Sequence, residues 1–594
     1  MKDSTLKIKT FITVSQVCVM LFLLCITLMN VEIRWSNSDI VLAYSIPFLV
    51  MVGVIVLLLN NDVWQFSSID YIAGGWLFYW ILRVWIGAEY PCATAFIQVA
   101  WMSLLYIALR LLFSSFDNKL LPFFAQLILL FGTIESIWGF WQIANGTSRH
   151  PLFPITGNFL NPGPYSAYPM MGFISGLILL NMKNSCLGFT FPNTGITDKE
   201  EGEKRKEILK TMIEGQTIIC LMILPFTWSR AAWACIGLIA LWIIRKTYWK
   251  WRWYVWGGLL VLSILAFLWK QGSAEGRIIT WASALNTWWQ KPFLGVGFGG
   301  FNHACGEGIA SLYKNEPNLF SNFRNAGVTE FSYNTPLQIL VEQGVIGEFF
   351  YITLVITALV KARQIYSPLL YLLFSLIIFS LFSYPFEMLP YRILLTILVA
   401  IIATKSAKGR YVRKIWWHPI VLVSITFVFS IFLLKETLNR KESEEGYSII
   451  SEQRDVFFLK DYWELLPDER DNSYFLFDMA KRLHRRGRYQ DSNAILKQGI
   501  LISRDPIFFT MMGNNYKSMG MTNKADSAYI QAYHHLPNMI YPLYLRMLLQ
   551  QEQGNMVLAQ SLAQQIVTMN PKIKSPATDE MQKNAREILI NTDK

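Results

Sequence analysis

Charge is what this sequence has least of: Asp, Glu, Lys and Arg make up 16% of its 594 residues, against 53% hydrophobic and 15% aromatic. With a mean hydropathy of +0.32, that scarcity excludes an ordinary soluble domain and points to a chain that crosses a membrane many times. Cysteine is also sparse. The seven cysteines contain no Cys-x-x-Cys pair and none follows Cys305, so neither a disulfide framework nor a zinc site is indicated. Only Cys92 and Cys305 fall on one side, where a pair could meet. The patterns HExxH, GxSxG and Walker A are missing, which removes the familiar zinc-protease, serine-hydrolase and P-loop readings. No metal and no cofactor is expected. The first apolar run lacks a small-residue cleavage site and is followed by further spans, which argues against a cleaved signal peptide. Acidic residues are outnumbered, and the net charge is +12. Basic inner loops of a membrane protein explain that balance without nucleic acid.

What the sequence does have is apolar length. Thirteen segments between about residue 11 and residue 434 are each long enough to cross a bilayer, with an error of one or two in the count. The basic stretches "MKDSTLKIK", "KEEGEKRKEILK", "RKTYWKWR", "KARQ" and "KSAKGRYVRK" all fall on one side if the N-terminus is inside. That orientation puts outside the 143–162 loop, the Ser229-Arg230 turn, the long 271–334 loop and everything after about 435. Beyond 435 the composition becomes that of a soluble domain. Gly487, Gly520 and Gly554 follow one another at intervals of 33 and 34 positions, and Pro506, Pro537 and Pro571 close successive units. A period of that length, with a small residue in the turn and a terminal proline, resembles tetratricopeptide repeats. Two to three units plus a capping helix are expected, forming a surface that binds protein segments. The expected fold is all-α: residues 1–434 form a polytopic membrane helix bundle of about 12–13 spans, and 435–594 form a helical-repeat domain outside the membrane.

Chemistry-bearing residues gather on the outer side. "FSYNTPLQILVEQGVIG", residues 331–347, has the grammar of a helix start, with Thr335 as N-cap, Pro336 in the first turn and Gln338 reaching back. Its dipole end would face Ser332, Tyr333 and Asn334 and attract an anion. Arg230 in "FTWSRAAW", Arg277 in "GSAEGRIITW", and Arg149 with His150 oppose the positive-inside bias. A lone arginine there could simply snorkel to the interface. Two or three that flank one helix N-terminus suit a diphosphate, which guanidinium binds in a two-pronged manner. Glu135 and Glu342 fall inside spans, where each either serves a polar interior or sits in a structural hydrogen-bond pair. "GVGFGGF", residues 295–301, reads as a tight turn, because a dinucleotide site would need a preceding strand and a following phosphate-binding helix.

At these residues the chain resembles the O-antigen ligase and polymerase superfamily of bacterial envelope glycosyltransferases. The pieces "ESIWGFWQ", "TGNFLNPGPYSAY", "TWSRAAW", "GRIITWASALNTWWQKPFLGVGFGGF" and "YNTPLQILVEQGVIG" stand in family order over roughly residues 70–400. The last carries the family's spacing at Asn334, Gly344 and Gly347. The resemblance implies metal-independent, inverting transfer of a glycan from undecaprenyl diphosphate to an acceptor hydroxyl. The setting would be the periplasmic face of a bacterial inner membrane. Arg230 and Arg277 would hold the diphosphate, and the family's histidine, taken as the base on the acceptor, falls at Tyr333. His303 is then the first alternative base, with His150 and Glu330 as others. The acceptor would be an envelope lipid such as lipid A-core. A protein oligosaccharyltransferase or a polymerase of the same superfamily is the alternative, and a non-catalytic scaffold or transporter is the reading from another class.

Overall fold

The computed structural model describes residues 2–590 except 32–33, 60–64, 86–92, 115, 118–119, 182–198, 249, 251–252, 255–257, 259–270, 318–324, 366, 408–416 and 453–458. Among the described residues every regular element is a helix. Seven helices are long and apolar enough to cross a membrane: Leu6–Thr27, Asn37–Leu59, Ala93–Leu112, Leu120–Asn145, Lys206–Thr227, Thr335–Ile365 and Leu389–Ser406. Two shorter apolar helices, Arg230–Ile239 and Pro368–Ser380, join them.

The difference from thirteen expected spans has identifiable causes. Ser68–Trp85 carries Asp70 and Arg83, and Asp70 is held by both prongs of Arg110 at 2.8 Å. The apolar run at 163–182 breaks after Tyr165, which leaves Ala167–Leu180 as 14 residues, about 21 Å of helix and short of the roughly 30 Å hydrocarbon core. Most of the expected span at 253–270 lies outside the described residues, as does Cys92. Cys305 is a buried free thiol.

The bundle is held by close packing of apolar side chains. Leu23, Ile46, Leu105, Phe124 and Ile397 are wholly buried in one continuous cluster. Helices Leu120–Asn145 and Ala167–Leu180 cross at their glycines, where a Cβ on Gly132 would stand 2.8 Å from the Gly172 Cα. Close backbone approach of this kind substitutes for the hydrophobic driving force that lipid removes.

The outer segment expected as a loop is instead built around two helices, Gln271–Gln290 and Phe301–Asn315. They share a small core of Ile279, Ala284, Phe301, Ala304, Ile309 and Val341. Trp417–Glu452 is one helix of 36 residues, so the boundary expected near 434 falls inside a continuous rod. After it come helix pairs: Ser473–Arg485 with Tyr489–Ile502, Pro506–Ser518 with Thr522–His535, and Ile540–Glu552 with Met556–Thr568, followed by Pro576–Ile590. Gly487, Gly520 and Gly554 occupy the turns, with φ of 72°, 73° and 76°.

The helix pairs dock on the end of the bundle that carries helix Phe301–Asn315. Arg34, from the loop after the first helix, pairs with Glu469 at 2.6 Å and Asp471 at 2.5 Å. Thr94 binds Asp471 through its N–H at 2.9 Å and its hydroxyl at 2.7 Å. Farther along, Arg504 pairs with Glu307 at 2.5 Å, and Asn538 Nδ2 donates to the Ala326 carbonyl at 2.9 Å.

Candidate functional site

The helix beginning at Thr335 forms where the sequence placed it, but Asn334 is its N-cap. The Asn334 side chain accepts from Leu337 N–H at 2.9 Å, and its carbonyl accepts from Gln338 N–H at 3.0 Å. Asn334 wins over Thr335 because Ser332 fixes it in place: Asn334 N–H donates to Ser332 Oγ at 3.0 Å, and that hydroxyl donates to the Asn334 carbonyl at 2.5 Å. Gln338 does reach back, accepting from Ser332 N–H at 3.3 Å, while its amide donates to Glu387 at 2.9 Å. With Pro336 lacking an N–H, the first turn has few donors left for an anion. The positive charge of the site comes from side chains instead.

Those side chains are Arg277 and Arg230. Helix Gln271–Gln290 lays the Arg277 guanidinium over the Tyr333 ring, 4.9 Å from its centroid. Arg277 also donates to the Phe382 carbonyl at 3.0 Å. Trp281 Nε1 donates to the Ser332 carbonyl at 2.7 Å, and Asn334 Nδ2 donates to the Leu381 carbonyl at 3.2 Å. The 332–334 turn is thereby clasped between that helix and the 381–387 turn. Tyr384 completes the clasp, stacking on Phe331 at 4.9 Å and meeting Tyr333 edge-on at 5.3 Å. Arg230, half-buried, opens helix Arg230–Tyr248. Burial pushes the Arg277 pKa down, and the Arg230 charge pushes it further the same way. The two guanidiniums therefore sit within electrostatic range of each other, an arrangement that an anion between them would relieve.

Backbone strain marks the same place. Among the described residues, the non-glycine positions with positive φ are Trp228 at 50° and Tyr333 at 57°. One lies two residues before Arg230 and the other under Arg277. Left-handed conformations at bulky residues persist only where surrounding structure enforces them, and they gather at functional sites.

Tyr333 itself is a poor base. Burial raises its phenol pKa above the ordinary value, and Arg277 opposes that shift without reversing it. His303 is placed against the helix pairs. It is 7% exposed, its Nδ1 lies 3.1 Å from the Ile500 carbonyl and its Nε2 is 3.5 Å from Arg504. Burial, reinforced by Arg504, lowers its pKa to about 4. These contacts bind it to the docking interface, whereas the expectation of a base over Tyr333 needs it turned toward the turn.

Glu342 has a structural task. Helix Thr335–Ile365 is interrupted at Gly344, with φ 67° and ψ −171°. The 292–297 loop plugs into the break: Val296 and Gly297 N–H donate to the Val341 and Glu342 carbonyls at 2.9 Å each, and Val345 N–H donates to the Pro292 carbonyl at 2.9 Å. The Glu342 side chain itself is buried at the same break. "GVGFGGF" is therefore the turn that wedges the kink open, with Gly295, Gly297 and Gly299 all at positive φ.

Glu135 accepts from Asn158 Nδ2 at 2.6 Å, which pins the "TGNF" loop. Arg149 donates to the Val31 and Asn158 carbonyls at 3.0 and 2.7 Å, and His150 accepts from Leu152 N–H at 3.1 Å. Glu135 and Arg149 tie the 149–158 loop to neighbouring segments, and the His150 contact stays within it. Among the described residues no group of three His, Cys, Asp or Glu could hold a metal ion. Sequence reasoning missed Arg34 and Tyr384. The signal for Arg34 was present, since an arginine in "VEIRW" on the outer side breaks the same charge rule that singled out Arg230. Tyr384 carried no signal, because an aromatic beside an apolar span is ordinary.

Residues 216–352 match the family model described as O-antigen ligase. The matched stretch contains Arg230, Arg277, the 292–300 loop, Tyr333 and the kinked helix, which are the parts that converge here. It supports a multi-pass membrane glycosyltransferase of the O-antigen ligase/polymerase type, whose substrates are a lipid-linked glycan and an acceptor. No curated protein matches the chain.

Proposed function

We propose that this protein transfers a glycan from undecaprenyl diphosphate to an acceptor hydroxyl at the outer face of a bacterial inner membrane. The observation that carries the reading is the convergence of Arg230 and Arg277 beside the strained Tyr333. Arg277 is held by the Phe382 carbonyl and the Tyr333 ring, so its positive charge is already oriented. When the bond between the sugar and the diphosphate breaks, negative charge grows on the diphosphate, and charges fixed in advance stabilise it without reorganisation. The acceptor oxygen attacks from the face opposite the leaving group, which inverts the anomeric centre. The residues that would do this are arginines and aromatics, so the step needs no metal ligand from the chain. The helix pairs, read as tetratricopeptide-like repeats in the periplasm, fit recruitment of a protein or acceptor partner.

Removing the gene from its host and following envelope glycans tests the reading. One surface glycan should lose its final attachment while its undecaprenyl-linked precursor accumulates. An unchanged set of surface glycans with no precursor build-up would overturn it.

A further inference from the structure

The loop that wedges the kink at Gly344 also shows an apolar corner. Between helix Gln271–Gln290 and helix Phe301–Asn315 the chain turns through "WWQKPFL", residues 288–294. Trp289 is 75% exposed, Phe293 is 68% exposed, and Leu294 is exposed beside them. Four successive carbonyls of the turn all accept from the protein: Pro292 from Val345 N–H at 2.9 Å and Trp288 Nε1 at 3.1 Å, Phe293 from Ile346 N–H at 3.5 Å, and Leu294 and Gly295 from the Arg83 guanidinium at 3.1 Å each. A turn in water has no need of such complete pairing, because solvent serves its carbonyls. At an apolar boundary nothing but the protein would serve them.

The position along the neighbouring span agrees. Lys361 and Arg363 close the far end of helix Thr335–Ile365. Counting back about 20 residues, the length that crosses roughly 30 Å of hydrocarbon, reaches Val341. The corner, seated at Gly344, therefore lies at the level where this helix enters the apolar layer. The backbone of Phe293 and Leu294 lies against Gly344, next to Val345, Ile346 and Phe349, which are exposed on the span itself. Helix Ser68–Trp85 supports the same level from another side. Its Trp76 Nε1 and Tyr79 hydroxyl donate to the Gln343 side-chain and backbone oxygens at 2.7 and 2.6 Å, and Arg83 holds the corner. These polar groups turn toward the break, while Phe78, Ile81 and Leu82 of the same helix are left exposed. Exposed aromatic rings beside a lysine are the composition that settles at the edge of a bilayer.

We propose that the 288–294 corner is a membrane anchor, with Trp289, Phe293 and Leu294 inserted among phospholipids at the boundary between headgroups and acyl chains. Trp289 follows Arg277 on one helix by about three turns, so the anchor also sets the level of Arg277.

The test uses full-length protein in nanodiscs of phosphatidylethanolamine and phosphatidylglycerol, with p-benzoylphenylalanine in place of one residue at a time. The positions are Phe293, Trp289, Phe349 on the span, and Val557, which is exposed on the helix pairs. Illumination followed by intact mass shows what each position touches. The probe at Phe349 should gain the mass of one phospholipid and the probe at Val557 should not, which calibrates the readout. Probes at Phe293 and Trp289 should gain phospholipid as Phe349 does, with the new bond on the glycerol-proximal part of an acyl chain. Both side chains are exposed, so the replacements leave the packing intact. Probes at Phe293 and Trp289 that stay free of lipid, as Val557 does, overturn the anchor. A crosslink there between two copies of the chain overturns it too, because the corner would then be a protein interface.

Discussion

Arg277 lies flat over an aromatic ring while one of its nitrogens donates to a carbonyl, and an ammonium cannot copy both contacts. Arg277→Ala should reduce glycan transfer by about 100-fold with protein level unchanged, and Arg277→Lys should recover little of it. Wild-type rates in the lysine variant would remove Arg277 from the diphosphate site. Tyr333→Phe should leave transfer within about threefold and the pH profile in place, because burial keeps the phenol protonated and the ring alone meets Arg277 and Tyr384. A collapse of activity in that variant would restore the hydroxyl to the mechanism. His303 makes a prediction about stability. Its pKa in the fold, about 4, lies below the ordinary ~6.5, so the folded protein binds its proton less well than the unfolded chain does. The stability it contributes is complete above about 6.5 and is lost as the pH falls toward 4. Over that range Glu307, pushed down to about 2 chiefly by His535 and further by Arg504, stays charged. Melting temperature should therefore drop between pH 6.5 and 4 in the wild type and drop less steeply in His303→Gln.

The kink in helix Thr335–Ile365 is the element on which the site hangs, because it lets the 292–300 loop enter and orients the Asn334 cap. A Cβ on Gly344 would stand 2.1 Å from the Phe293 carbonyl oxygen, at a φ that side chains avoid. Gly146 has a similar φ of 63° but open space around it. Gly146→Ala should cost about 1 kcal/mol, and Gly344→Ala several times that, read as melting temperature in detergent. Equal losses would mean that the loop does not wedge the helix. The start of this element was legible in the sequence, since Pro336 and a polar cluster before an apolar run leave few other readings. Its interruption was not. Gly344 looked like one tolerated glycine in an apolar run, and the partner that needs the break lies some 50 residues earlier in "KPFLGVGFGG", which periodicity cannot connect to it. Arg230 and Arg277 were singled out for a different reason, because charge expected on the outer side of a membrane stands out without any knowledge of packing. Glu342 stood out as a charge inside an apolar run, yet the contacts of its backbone with Gly297 join segments distant in sequence.

At the scale of the molecule, the Trp417–Glu452 rod and the Arg34 clamp join bundle and helix pairs into one body. Lys441 Nζ donates to the Trp35 carbonyl at 2.9 Å, and Trp101 Nε1 donates to Thr437 at 3.0 Å. Reporters fused after about residue 435 or within 271–334 should be active only outside the cytoplasm, and a cytoplasmic signal at either place would overturn the orientation. Arg34→Ala takes the ion-pair partner from buried Glu469 and leaves Asp471 with Arg440 at 3.6 Å, which should cost about 1–3 kcal/mol, seen as faster proteolytic release of the helix pairs. Release at the wild-type rate would show that the clamp is dispensable. The clamp has one more consequence, for the protein while it is being made. Arg34 is among the first residues to be made, and Glu469 follows 435 residues later. At about 5–20 residues per second, the arginine waits tens of seconds for its carboxylates, through the synthesis of nearly every span. A chain cut short by a ribosome that stalls in the bundle would thus expose an arginine without the carboxylates that close the clamp. Half-made copies would keep the clamp open, and with it a site for proteolysis, until the last helices had arrived.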